Sequence, residues 1–482
     1  MTSSRTKWTI MVIIAIAQLM VVLDATIVNI ALPSAQADLG FSDGDRQWIV
    51  TGYALAFGSL LLLGGRIADL FGRKPVFIAG LVGFAVASAL GGAAGSFEVL
   101  VAARVLQGVF GAMLAPAALS LLTTTFTEPA ERARAFGIFG AVAGSGGGIG
   151  LLLGGALTEY TTWRWCLYVN LAFAAVAAVG GSVFLKHERR AERARLDLPG
   201  SLTVSAGLFG IVYGLSRAET AGWDSAATLG WIGAGAVMLA VFVLIQRRTA
   251  HPLLPLRVVL DRNRGASFLG VLFLGAGMFA VFLFLTYYLQ LTLGYSPVRT
   301  GFAFMPMVLS IMVGAQLSTQ VLMPKAGPRA LVGTGMLLGA AGMLWLTRID
   351  VTSAYATGIL GPLMALGLGL GLVIGTSMSL ATLGVRADDS GVASALVNTT
   401  QQIGGSIGTA LLSTIATSAI TDHLGGRTPT PALQAEAMVH SYTTVFAWAA
   451  GIFLLGALVC APLMRRGIPD TQPLHGEPVL VH

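Results

Sequence analysis

Only two cysteines occur in 482 residues. Both, Cys166 and Cys460, lie inside apolar runs, where a free thiol behaves as a small hydrophobe, so no disulfide framework or redox role is expected. Charge is also scarce: Asp, Glu, Lys and Arg make up 11% of the chain, against about 25% in ordinary soluble domains. The four lysines are Lys7, Lys74, Lys186 and Lys325, and none follows a glycine. That excludes the G-x-x-x-x-G-K-[ST] phosphate loop of a nucleotide-driven pump. The six histidines, His187, His251, His423, His440, His475 and His482, fall in loops and tails. No metal centre or other cofactor is therefore expected within the apolar runs, and no serine there has a histidine base at its own depth.

What remains is 55% hydrophobic, with a mean hydropathy of +0.79, the composition of an integral membrane protein. A crossing needs about 20 apolar residues, and fourteen runs qualify: 10–34, 47–65, 75–95, 99–124, 135–156, 165–185, 199–216, 227–246, 266–292, 300–323, 329–347, 353–380, 392–419 and 443–464. Ser34-Ala35-Gln36-Ala37 has the form of a signal-peptidase site, but the run before it exceeds the 7–15-residue core of a signal peptide and holds Asp24, so it reads as a crossing. With an even number of crossings, 22 Lys and Arg lie on the side of the termini, 6 on the other, and Arg104 within a run. This places both termini in the cytoplasm. The basic segments Lys186 to Arg195 and Arg247 to Arg264 then serve as topology determinants facing anionic lipid, and the net charge of +7 needs no nucleic-acid partner.

Those two segments divide the chain as six, two and six crossings: 1–195, 196–264, 265–466 and a tail at 467–482. Gly65 to Pro75, between the second and third runs, has a worn counterpart in Pro324 to Arg329, between the tenth and eleventh. Equivalent motifs in two halves point to an internal repeat. A channel filter would instead use rings of carbonyls or charges from repeated or oligomeric elements, which suits this chain less well.

Asp24 stands in thirty residues, Trp8 to Ala37, that hold no other charge. An acid near the bilayer centre costs roughly 2.5–3.5 kcal/mol and is read by default as part of an ion or substrate pathway. Counting 1.5 Å per residue, Asp24 and Arg104, on oppositely directed runs, reach similar depth. Paired, each would offset the other's burial, and protonation of Asp24 would release Arg104. The alternative is a permanent pair that only fixes two helices.

Leu23-Asp24-Ala25-Thr26-Ile27-Val28-Asn29-Ile30-Ala31-Leu32-Pro33 resembles the first-helix motif of the fourteen-span drug:proton antiporter branch of the major facilitator superfamily. Gly65 to Pro75 is similar to that superfamily's loop motif, Arg104 to Ala112 to its fourth-helix motif, and Trp163-Arg164-Trp165 to the opening of its sixth helix. Gly144 to Gly155 keeps the glycines of the fifth-helix antiporter motif but has Leu151 where the family places proline.

The resemblance implies an all-α membrane protein of two pseudo-symmetric six-helix bundles with two additional helices between them. It implies a multidrug exporter, not an enzyme, that exchanges lipophilic small molecules for protons across a bacterial plasma membrane, for which a monomer suffices. Asp24 would bind the proton, with Arg104 tuning it. Gly65, Asp69, Gly72, Arg73 and Lys74 would form a conformational latch. Gly146, Gly150, Gly154 and Gly155 would pack the antiporter helix, as small-xxx-small spacing allows in any case. The cavity candidates are Asn29, Gln107, Asn398 and Gln402, since buried amides are costly without partners. The last six runs add Gln290, Gln316, Gln320, Gln401 and several aromatics, among them Phe279, Phe282 and Phe304, but no acid, so neutral lipophiles or monovalent cations are expected ahead of divalent cations. An exporter dedicated to one metabolite made by the same cell would look the same. A membrane sensor or scaffold would be expected to carry a large cytoplasmic module, and the tail beyond Arg466 is short.

Overall fold

The computed structural model describes residues 4–185, 197–249, 252–254, 256–383, 390–425, 430–465 and 467, and among them there is no strand. The helices are α1 Ser4–Leu39, α2 Asp43–Phe71, α3 Arg73–Gly92, α4 Phe97–Thr125, α5 Pro129–Tyr160, α6 Trp165–Phe184, α7 Leu198–Ala221 and α8 Ala226–Arg248. A single turn, α9 Leu256–Val259, precedes α10 Arg262–Ala280, α11 Pro297–Gln316, α12 Met323–Leu346, α13 Leu360–Thr382, α14 Ser390–Leu424 and α15 Pro431–Leu463. π-Helical turns at Val281–Leu285 and Tyr288–Thr292 prolong α10, and others at Leu317–Leu322 and Tyr355–Ile359 join α11 to α12 and open α13.

Several helices run past the apolar limits read from sequence: α1 starts at Ser4 rather than 10, and α15 at Pro431 rather than 443. Their polar ends contain no interior glycine stop, so the backbone ladder simply continues beyond the hydrocarbon. Several starts are set by side-chain caps that satisfy orphan N–H groups. Asp197 accepts from the Gly200 N–H, Asp261 from Arg264, Ser296 from Arg299 and Thr430 from Leu433. Lys186 to Arg195 and nearly all of the tail lie outside the described residues.

Twelve stretches of the described residues are long and apolar enough to cross a bilayer. One of them, Pro297–Leu346, has 50 residues, about 75 Å of helix and more than twice a hydrocarbon core of about 30 Å. Gly327, with φ 72° and ψ 166°, breaks it. Gly72, with φ 94° and ψ 147°, separates α2 from α3 in the same conformation. A side chain is disfavoured at such positive φ, so the two turns of the repeated loop motif demand glycine.

Packing follows one plan twice. The pairs α2 with α4, α3 with α4, α1 with α5, α3 with α6 and α1 with α6 recur as α11 with α13, α12 with α13, α10 with α14, α12 with α15 and α10 with α15. The two sets meet along two seams, α5 against α11 and α2 against α14. Helices α7 and α8 pair with each other, and α7 lies on both α2 and α14. Ser205 Oγ donates to the Ser59 carbonyl of α2, and Thr414 Oγ1 of α14 donates to the Leu215 carbonyl of α7.

Close approach depends on glycine. A Cβ at Gly64 would stand 2.0 Å from the Ala112 carbonyl oxygen of α4, whereas one at Gly230 would meet nothing within 4 Å. Gly64→Ala is expected to destabilise the purified protein by about 1–3 kcal/mol, the usual cost of overpacking, and Gly230→Ala to leave it unchanged. Thermal unfolding in detergent compares the two.

Candidate functional site

Asp24 is fully buried on α1, and its carboxylate is surrounded by donors from two other helices. Arg104 Nη1, from α4, lies 2.6 Å from Asp24 Oδ2. Gln107 Nε2, one turn along α4, and Asn170 Nδ2, from α6, each donate to Asp24 Oδ1 over 2.8 Å. Arg104 Nη1 also donates to Gln107 Oε1, and Arg104 Nε to the Ile49 carbonyl of α2. The guanidinium carbon sits 4.3 Å from the centre of the Tyr53 ring. Ser88 Oγ, from α3, accepts from Gln107 and from Asn170.

Five helices thus converge on one charge. A buried pair is tolerable when its remaining lone pairs and protons are hydrogen-bonded, and here every carboxylate oxygen has a donor. The depth argument that paired Asp24 with Arg104, and the place of Gln107 beside them, agree with this geometry. Sequence reasoning missed Asn170, Ser88 and Tyr53. The one available signal was that Asn170 is an amide inside an apolar run.

A separate cavity of about 200 Å³ lies on another face of α1, lined there by Gln18, Val22, Ala25, Thr26 and Asn29. α14 contributes Gln401 and Gln402, and α10, α11 and α13 contribute apolar side chains, Phe282 among them. Its polar groups are amides and a hydroxyl, and among the described residues no ionisable side chain lines it. Asn29 Nδ2 donates back to the Ala25 carbonyl, while Gln402 Oε1 is buried and accepts no hydrogen bond among the described residues. Gln107 belongs to the Asp24 cluster rather than to this cavity. The side chain of Asn398 lies outside the described residues.

The glycines of α5 face two helices. Added Cβ atoms at Gly146, Gly150 and Gly154 would strike Val22, Thr26 and Ile27 of α1, at 2.9, 2.1 and 2.7 Å. One at Gly155 would stand 2.6 Å from the Pro297 carbonyl of α11. The stripe therefore seats α5 on the helix that carries Asp24, and Gly155 seats it against the other bundle.

Beyond the cavity, away from the face where α1 begins, the two sets of helices are joined. Gln290 Nε2 donates to the Ile30 carbonyl, the Val298 N–H donates to Glu159 Oε2, and Arg46 stacks 4.2 Å from the centre of the Tyr287 ring. Tyr288 donates to the Asp350 carbonyl and Phe304 packs on Phe282, so most of the aromatic residues of this region serve packing. The side chain of Phe279 lies outside the described residues. Gln316 and Gln320 pair with each other on an exposed surface.

The loop motif is placed at the opposite end. Lys74 Nζ donates to the Ser182 and Leu185 carbonyls at the end of α6, where a cation also suits the helix dipole. It thus binds within its own set of helices. Arg73 is half-buried, Gly65 packs on Pro116, and the Asp69 side chain lies outside the described residues.

Residues 14–409 match the model of the Major Facilitator Superfamily. The chain is 49% identical over 455 residues to the puromycin resistance protein pur8 of Streptomyces alboniger, covering 94% of this chain and 90% of that one. It is 38% identical over 486 residues to the cephamycin export protein CmcT of Amycolatopsis lactamdurans, with 99% and 96% covered. It is 30% identical over 409 residues to the multidrug transporter protein MdtP of Bacillus subtilis, with 83% and 73% covered. Among solved structures, an auto-inhibited POT family peptide transporter superposes with a TM-score of 0.70 at 17% identity, over 97% of this chain and 99% of that one, a likeness of fold.

Removing one partner of the buried pair leaves the other charge uncompensated. Arg104→Leu is expected to lower stability by about 3–5 kcal/mol, and Asp24→Asn/Arg104→Leu to recover most of that loss. Thermal unfolding of Asp24→Asn, Arg104→Leu and the double variant beside the native protein reads the coupling.

Proposed function

The chain belongs to the Major Facilitator Superfamily, and from that premise we propose that it is a secondary active exporter of amphipathic antibiotics or drugs, driven by proton entry through Asp24. It is a transporter, not an enzyme. In this reading its fourteen crossings stand as six, two and six. The glycine turn at Gly327 divides the fifty-residue stretch in two, and α5, with 32 residues, supplies the remaining crossing. The bundles are 1–195 and 265–466, with 196–264 between them and a cytoplasmic tail at 467–482. Both termini are cytoplasmic in a bacterial plasma membrane, and the working unit is a monomer.

The observation that carries the proposal is the placing of α1 between two compartments. One face holds Asp24 in its charged cluster, another lines the cavity, and α5 is seated on it through Gly146, Gly150 and Gly154. Protonation of Asp24 removes the attraction that holds Arg104, so α4 loses its hold on α1. A shift of α1 then reaches the cavity through Asn29 and reaches α5 through the glycine contacts. Substrate and proton act on one helix from different sides, and alternating access follows without a shared site. The joined outer ends of the bundles correspond to a cavity facing the cytoplasm, as needed for loading. Gly65, Asp69, Gly72 and Arg73 serve the opposite, outward-open state, with Lys74 anchoring the loop on α6.

One proton crossing 100 mV releases about 2.3 kcal/mol, enough to sustain roughly a 50-fold gradient of a neutral substrate at 1.36 kcal/mol per factor of ten. A cavity with amides and no described ionisable group suits neutral or monovalent amphiphiles, which are held by apolar contact and oriented by Gln402 and Asn29. A dedicated exporter of a single compound is the second reading. It is favoured by relatives named for one antibiotic each, and competition profiles across a panel of antibiotics distinguish the two.

In proteoliposomes, substrate addition is expected to drive proton movement in the native protein and none in Asp24→Asn, compared at equal amounts of folded protein. Equal coupled transport in both would overturn the role of Asp24. Gln402→Ala and Asn29→Ala are each expected to raise the half-saturating substrate concentration about 2- to 10-fold, the worth of one hydrogen bond, with proton coupling intact.

A further inference from the structure

Asn170 is completely buried, and its two amide atoms are treated unequally. Nδ2 donates to Asp24 Oδ1 at 2.8 Å and to Ser88 Oγ at 3.3 Å. Oδ1 accepts no hydrogen bond among the described residues. An ionised carboxylate accepts only, so while Asp24 is charged the amide must present its NH₂ and leave its oxygen idle. The oxygen becomes useful once Asp24 acquires a proton.

We propose that Asn170 is the positioning residue that reads the protonation state of Asp24, turning its amide by half a revolution so that Oδ1 accepts the new carboxylic O–H. The inference rests on the proposed role of Asp24 in coupling. The turn is cheap because χ2 of asparagine is broad and roughly two-fold. It exchanges one unsatisfied amide atom for another, so neither orientation is strongly preferred until the carboxyl group decides. Ser88 can follow, since a hydroxyl both donates and accepts. Gln107 cannot turn in the same way. Its Oε1 holds Arg104 and its Nε2 holds both Asp24 and Ser88, so reversing it would break three bonds at once.

The ionisable groups around Asp24 are Arg104 from α4, Tyr53 from α2 and the Cys166 thiol from α6. α3 contributes the Ser88 hydroxyl, and α5 packs on α1 through its glycines. Of these groups, Asn170 alone pairs a direct bond to the carboxylate with an unused acceptor. Its position on α6 would pass the proton signal to a third helix besides α1 and α4.

Infrared difference spectra of the full-length protein in lipid, recorded across a pH jump, read both partners. The native protein should show a carboxylic C=O band that is absent in Asp24→Asn. It should also show a coincident shift of an amide C=O band that moves with ¹³C-asparagine labelling and is absent in Asn170→Leu. A carboxylic band without an asparagine band overturns the inference and leaves the coupling role of Asp24 standing; loss of the carboxylic band overturns both. If Asn170→Leu does not fold, Asn29→Leu and Asn263→Ala in labelled native background assign the asparagine band by elimination with Asn398→Ala, because the chain has only these four asparagines.

Discussion

A fully buried carboxylate in an apolar interior constrains nearly everything around it. The Asp24 carboxylate is accommodated there because donors reach both of its oxygens, and those donors must come from different helices because one helix cannot surround a point beside it. The crossing of α1 with α4 and α6, and the contributions of α2 and α3 behind them, are therefore fixed by polar satisfaction as much as by packing. Apolar contact alone would allow these helices to slide, since lipid offers every apolar face an equally good neighbour. The charged cluster selects one register.

Around that centre, close approach is governed by the absence of side chains. Glycines on α5 seat it on α1, and Gly301 of α11 meets the Leu151 carbonyl of α5. Where backbone meets backbone, rotation of one helix is transmitted to the next with little slack. A seam of branched side chains would absorb the same motion through rotamer changes. In the proposed mechanism, the combination of a polar cluster that responds to charge and glycine contacts that transmit displacement links a chemical event to a change in shape.

Much of this was legible in the sequence. The apolar runs marked the helices, depth counting brought Asp24 to Arg104, and the four-residue glycine spacing announced tight packing. Asn170 was not legible as a partner of Asp24, because a single amide in a twenty-residue apolar run has no periodicity that says which neighbour it faces. Ser88 and Tyr53 were hidden for the same reason, each an ordinary residue in a helix until the bundle closes. The attachment of Lys74 to α6 was invisible because it depends on where the end of α6 falls relative to α3. The positions of α7 and α8 were also out of reach, since an evenly apolar helix does not record which surface it covers.

The place of α7 makes the molecule mechanically lopsided. Two like bundles meeting along two like seams would rock about an axis midway between them. Here one seam carries an extra helix, hydrogen-bonded to α2 through Ser205 and to α14 through Leu215, while the other seam is formed by α5 and α11. In the proposed cycle the α2–α14 seam, braced by α7, serves as the bearing, and the α5–α11 seam, in backbone contact through Gly155 and Gly301, carries its two helices together.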